Sequence, residues 1–208
     1  MIRRLLDVEG PVIGFLDKLG QLILVSVLWL LGCVPLVTIA AANSALYYAV
    51  VKSLRRGQGS PVKEFIRSFR ENLLKSIPIS LTAASLGGLL LWSLRQLRGL
   101  PAAAAVTALV LLLGTGIYLG PVLSRFRIKT AQVCAMALLL ALRFPLDTLA
   151  VLLEAAAVAA VQLFLLPMPT VVLLPGACCW AASCRIEKAL RQYMPPKEEN
   201  DNAWYYET

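Results

Sequence analysis

Uncharged stretches of helix-spanning length alternate along the chain with short charged segments. There are 33 residues without a charge between Lys18 and Lys52, 19 between Lys75 and Arg95, and 26 between Arg98 and Arg125. From Thr148 to Cys184 there are 37 residues with one charge, Glu154. A helix that crosses a bilayer needs about 20 apolar residues. The second and third stretches therefore predict one span each, at about 76–94 and 100–123, joined by the tight turn around Arg95-Gln96-Leu97-Arg98-Gly99. The last stretch has room for two, about 148–166 and 169–184. Pro167-Met168-Pro169 supplies the break, because proline removes a backbone donor and clashes with the preceding turn.

The first stretch has two readings. As one helix it would reach ~50 Å at about 1.5 Å per residue, well beyond a hydrocarbon core of about 30 Å. Broken at Pro35, it gives two short spans at about 19–34 and 36–51. The break places Trp29 near one interface, and Tyr47 and Tyr48 near the other, where aromatic rings are enriched. It also puts 18 of the 20 Lys and Arg residues on one side, leaving Arg95 and Arg98 opposite. An unbroken span gives 15 against 5. Both satisfy the positive-inside rule, and six spans satisfy it better than five. Six spans put both termini in the cytoplasm; the C-terminus is cytoplasmic in either case.

Composition moves the whole reading into lipid. The 208 residues are 59% hydrophobic and 15% charged, with a mean hydropathy of +0.73. An ordinary soluble chain is roughly 45–50% apolar and about 25% charged. The net charge of +8 orients loops here and does not argue for nucleic acid. Arg3 and Arg4 resemble the start of a secretory signal, but Asp7, Glu9 and Pro11 interrupt it and the apolar run comes too late. An uncleaved start is expected.

Two connecting elements complete the architecture. Ser60-Pro61 is a helix start, with serine at the cap and proline in the first turn. Val62, Phe65, Ile66, Phe69 and Leu73 recur at helical spacing while Lys63, Arg67, Arg70 and Lys75 take other faces. This predicts a basic amphipathic helix over about 61–73, lying on the cytoplasmic surface among anionic headgroups. A second interfacial element over about 130–143 is rich in alanine and leucine, which predicts a buried or half-inserted elbow. The polar tail, about 195–208, reads as disordered, with Trp204-Tyr205-Tyr206 as a possible surface anchor.

Candidate chemistry is sparse. The absence of histidine removes the commonest catalytic base and metal ligand together. Glu154 lies seven residues past Asp147, about 10 Å along a helix. An intramembrane carboxylate marks a functional path by default. The bland reading is a neutral acid or a structural pair with Arg143, eleven residues earlier. Gln162, eight residues on, shares roughly the same face. The candidate polar site is therefore Glu154, Gln162 and Arg143. Cys33, Cys134, Cys178, Cys179 and Cys184 match no common zinc spacing and read as packing residues. Gly114, Gly116 and Gly120 permit close helix approach, and no phosphate-binding lysine follows them. No G-x-S-x-G elbow is present. These features predict no enzyme, no metal and no cofactor.

One resemblance adds to this. The run Leu28-Trp29-Leu30-Leu31-Gly32-Cys33-Val34-Pro35-Leu36-Val37-Thr38-Ile39, followed by Ala45-Leu46-Tyr47-Tyr48, resembles the opening of the YesL family of bacterial membrane proteins, a domain of unknown function. Glu64-Phe65-Ile66-Arg67-Ser68-Phe69-Arg70-Glu71-Asn72 is similar to that family's cytoplasmic helix, and Pro121-Val122-Leu123-Ser124-Arg125-Phe126 to its exit from a span. Ser26 departs from the expected asparagine and Ala40 from the expected glycine. The resemblance implies an integral membrane protein associated with carbohydrate or oligosaccharide uptake, and it assigns no catalytic residue.

The expectation is an all-α, polytopic transmembrane helix bundle of the bacterial cytoplasmic membrane, with six (alternatively five) spans. Its role would be accessory or scaffolding, with the bilayer, anionic headgroups and a sugar-uptake permease as partners and no nucleic acid. The alternative is a small solute transporter or channel with Glu154 in the path.

Overall fold

A computed structural model describes residues 11–126, 128–165 and 172–192. Among them every regular element is helical. They are α1 (Pro11–Cys33), α2 (Ile39–Ala49), α3 (Pro61–Gln96), α4 (Leu100–Arg125), α5 (Thr130–Arg143), α6 (Pro145–Leu165) and α7 (Leu174–Arg191). A 3-10 turn at Leu36–Thr38 links α1 to α2, and α2 continues as a π-helical segment, Val50–Arg55. The expected break at Pro167-Met168-Pro169 and the tail at 195–208 lie outside the described residues.

α2 sits at the centre. Ala40, Ala41, Ala42, Ser44, Ala45, Leu46, Tyr47 and Ala49 are all buried, so the helix is covered on every side. Its small residues allow this. A side chain at Gly120 of α4 would come within 3.1 Å of the Asn43 backbone carbonyl, and one at Gly32 of α1 within 3.3 Å of the Ala42 methyl. In lipid there is no hydrophobic drive between helices, so such close backbone packing is what holds them together. Gly114 is similarly pressed by Thr148, whereas Gly116 faces open space.

Three helices are long and apolar enough to cross a membrane: Leu16–Cys33, Pro61–Gln96 and Leu100–Arg125. A bent pair, Thr130–Arg143 with Pro145–Val161, makes four if it counts as one span. Six separate span-length helices are not found among the described residues. The expected span at 36–51 is instead short α2 with its π-helical extension. The one at 148–166 belongs to the bent pair. The one at 169–184 overlaps α7, whose last two turns carry Arg185, Glu187, Lys188 and Arg191.

α3 corrects a second expectation. The surface helix at 61–73 and the span at 76–94 are one continuous helix of 36 residues, ~54 Å long at about 1.5 Å per residue. Pro78 does not end it. A proline inside a helix leaves the carbonyl four residues back, that of Leu74, without its donor. Leu74 and Lys75 are both exposed, so that carbonyl is not sealed in the core. The buried stripe Phe65, Ser68, Ser76, Ile79 and Ser80 runs unbroken along the first five turns and fixes the helix against the bundle.

α5 leaves the end where α4 finishes and returns alongside it. Val133, Ala137, Leu140 and Ala141 form its buried stripe. Ala141 and Thr148 both reach Gly114, eleven residues before Arg125, so the elbow lies ~16 Å up α4. At Phe144 the chain then bends by 93° into α6.

Candidate functional site

Lys52, Arg55, Arg56, Glu64, Arg125 and Glu187 form ion pairs at one end of the bundle, called here the basic end. α2 changes to π-helical winding over its last six residues, Val50–Arg55. π-turns carry one more residue per hydrogen-bonded turn and re-aim the side chains that follow. Gly57 and Gly59, with φ of +69° and +74°, then reverse the chain into α3. At Gly59 a side chain would also collide with the Glu64 carboxylate, at 2.9 Å. Glu64 is engaged by Lys52 at 3.0 Å. Burial pulls the Lys52 ammonium pKa down, hydrogen bonds with Tyr48 and Glu64 pull it up, and the net lies above its usual value.

Arginines from two elements converge on one carboxylate. Arg125, the last residue of α4, donates through Nη2 to Glu187 Oε1 at 2.7 Å and to the Tyr47 hydroxyl at 3.0 Å. Its guanidinium also lies 5.7 Å from the Tyr47 ring centroid. Arg56 Nη2 is 3.4 Å from the same Oε1, and Arg55 Nη1 is 3.7 Å from Oε2. Arg55 donates further to Ser183 Oγ at 3.0 Å. Ser183 and Glu187 are four residues apart, one turn along the same face of α7. The Arg125 side chain is 1% exposed and that of Glu187 11%. This clasp ties α2, α4 and α7 together in a desolvated setting.

A polar seam runs from there into the bundle. Asn72 donates to Ser44 Oγ at 3.3 Å and to the Ser68 carbonyl at 3.0 Å. Trp29 Nε1 donates to Asn43 Oδ1 at 2.7 Å, and Thr148 meets the Tyr118 hydroxyl at 3.3 Å. Two serines act as caps supplied by another helix. Ser80 accepts from the Ala40 amide at the start of α2, and Ser26 from the Gly176 amide at the start of α7, both at 3.1 Å. The first amides of a helix have no partner within it, and in an apolar medium an unmet amide is costly. Serine therefore does real chemistry at position 26, where an asparagine was expected.

The residues singled out by sequence separate into two groups. Glu154 Oε1 accepts from Arg185 Nε at 2.6 Å. Its partner is thus Arg185 of α7, not Arg143, which is exposed at the end of α5. Of the readings offered by the sequence, the structural pair with an arginine matches this contact, with a different arginine. Gln162 lies on α6, with its side chain outside the described residues. The basic residues of α3 are exposed: Lys63, Arg67 and Arg70, with Ile66 and Glu71, line an open groove of about 450 Å³, and Lys75 follows further along. Arg67 pairs with Glu71 at 3.0 Å.

Sequence reasoning missed the clasp: Arg55 and Arg56 had counted only as charges on one side, Arg125 as that and as part of a span exit, and Glu187 had not been singled out. The signal available was Glu187 itself, an acid set between Arg185 and Lys188 at the end of an apolar helix. Among the described residues no group of three or more His, Cys, Asp or Glu could hold a metal ion. All five cysteines are free.

Residues 22–94 match the model of a family described as a protein of unknown function, DUF624. The match begins in α1, takes in α2 and ends near the end of α3. No curated protein and no solved structure matches the chain.

Proposed function

We propose that the chain is a polytopic protein of the bacterial cytoplasmic membrane, with its basic end toward the cytoplasm, serving as an accessory or scaffolding component of carbohydrate or oligosaccharide uptake. The six crossings of this reading are α1, α2 with its π-helical extension, α3, α4, the bent pair α5–α6, and α7. Both termini are then cytoplasmic, and the positive-inside rule supports that orientation. The motifs at 28–39, 45–48 and 64–72 fall inside the matched region 22–94, and the uptake association is what the YesL resemblance implies.

The observation that carries the accessory role is the overhang of α3. A helix of ~54 Å exceeds a hydrocarbon core of about 30 Å, so several of its turns project from the layer. Those turns present the groove lined by Lys63, Ile66, Arg67, Arg70 and Glu71. A cationic groove with an apolar floor suits an acidic surface of a permease subunit. Glu154, by contrast, has its Oε1 held by Arg185 at 2.6 Å, a pairing that suits a structural role better than a solute path.

Cross-linking in native membranes tests this. A sugar permease should co-purify with the tagged protein, and Lys63→Glu with Arg67→Glu and Arg70→Glu should abolish its recovery. The purified protein alone should give no sugar flux in liposomes. Flux that falls in Glu154→Gln would overturn the reading in favour of a transporter.

A further inference from the structure

The outward face of α7 carries a second feature, separate from the clasp and from the α3 groove. Trp180, Cys184 and Lys188 recur at four-residue spacing, with Arg185 beside them, and all four are exposed. The opposite face, Ala182, Ser183, Ile186, Glu187, Ala189 and Leu190, is buried. Lys188 follows Glu187 and so lies level with the end of α4, where Arg125 meets that carboxylate. Trp180 lies ~12 Å further into the bundle along the helix. The stripe thus runs from cations at the basic end to a large apolar ring within the apolar layer.

Arg185 is held in place rather than loose. Glu154 Oε1 takes its Nε at 2.6 Å, while 46% of the arginine side chain remains exposed. Among the described residues its two terminal nitrogens have no acceptor, and Lys188 has no ion pair. On this face the charges are Arg185 and Lys188 against Glu154, a net positive balance. On the same face of α7 Trp180 is 55% exposed, a large apolar ring left uncovered by the described residues. An arginine fork is the geometry that phosphate oxygens accept in pairs.

We infer that this face seats one anionic phospholipid, its phosphate on Arg185 and Lys188 and an acyl chain along Trp180, with Glu154 as the positioning residue for the arginine. The intramembrane carboxylate then has a role in neither proton nor solute movement. It orients a guanidinium. Charge complementarity selects a lipid over a second copy of the chain, because a second copy would set Arg185 and Lys188 against the same two cations.

Trp180 supplies the reporter. The full-length protein is reconstituted into vesicles of phosphatidylcholine with brominated phosphatidylglycerol, or the reverse labelling, and the quenching lost in Trp180→Phe is taken as the site's signal. That signal should show a preference for the anionic lipid of about tenfold, in line with two cations near the surface. Arg185→Gln should bring the preference close to unity, and Lys188→Gln should reduce it. Glu154→Leu, which removes the acceptor that holds the Arg185 Nε, should reduce it although it also removes a negative charge, the opposite of what charge counting alone expects. Lys63→Gln with Arg67→Gln should leave it unchanged. Inorganic phosphate at millimolar concentration should not compete, which separates a lipid phosphate from a free anion. Equal quenching by both lipids in the native protein overturns the inference. So does absence of Trp180 quenching by either lipid, which would mean that protein covers the face. A Glu154→Leu variant with raised preference would remove the positioning role.

Discussion

Two glutamates from neighbouring helices each hold an arginine, and their surroundings give the two pairs opposite weight. Glu187 is nearly enclosed and is approached by Arg125, Arg56 and Arg55, from two other elements. Glu154 is 32% exposed and has the one partner Arg185, itself 46% exposed. Both contacts are short, 2.7 and 2.6 Å. Distance therefore does not rank them. What ranks them is the solvation each cation would regain if its carboxylate were removed.

Removing the Glu187 charge should have the largest effect. Glu187→Gln leaves Arg125 desolvated without its counter-charge, a loss of roughly 3–5 kcal/mol by analogy with other buried pairs. Against a total stability of about 5–15 kcal/mol, little folded protein should remain at growth temperature. Thermal melting in detergent measures the loss. Replacing both partners, Glu187→Leu with Arg125→Met, should recover the part of the loss that Arg125 carries, because that cation is no longer stranded, while Arg55 and Arg56 still lose their counter-charge. A double variant no better than the single would mean that the clasp acts through Arg55 and Arg56 instead.

Glycines provide the next contrast. Gly120→Leu must displace the Asn43 backbone and should cost about 1–3 kcal/mol as overpacking. Gly116→Leu, four residues away on the same helix but with nothing within 4 Å, should stay within about 0.5 kcal/mol. Equal effects would break the claim that α2 and α4 are held by backbone proximity. Smaller again are the serine caps. Ser80→Ala and Ser26→Ala each remove the acceptor for a helix-start amide and should cost about 1 kcal/mol, readable as a lowered melting temperature.

How far the sequence disclosed these features follows from how local each one is. Charge-free length located α1, α3 and α4, because span length is a property of a continuous segment. The Ser60-Pro61 start and the Gly99 turn were likewise legible from adjacent residues. Pro78 misled: read locally it opens a span, yet the buried stripe from Phe65 to Ser80 carries the helix through it. The clasp depends on residues separated by 62 and 131 positions, and charge counting treats them as interchangeable. The elbow's depth depended on Gly114 accepting Thr148, and a glycine pattern does not name its partner. Glu154 was legible as unusual but not its partner, since Arg185 had been assigned to the charged end of the chain.

Glu154→Gln should therefore be the mildest of these changes to the fold. Glutamine keeps a carbonyl oxygen where Oε1 now accepts from Arg185 Nε, so the contact persists without its charge. Arg185, nearly half exposed, can be solvated by water or headgroups and is not stranded as Arg125 would be. Partly exposed pairs contribute about 0–1 kcal/mol, and the loss in melting experiments should fall in that range. Arg143→Met should change nothing further, alone or in combination, since Arg143 is exposed and Glu154 is held by Arg185. The sharper control is Arg185→Met, which leaves Glu154 with no cation in an apolar wall and should cost more than Glu154→Gln does. If Glu154→Gln instead matched Glu187→Gln, the exposed pair would be as desolvated as the clasp, and the distinction between the two glutamates would fail.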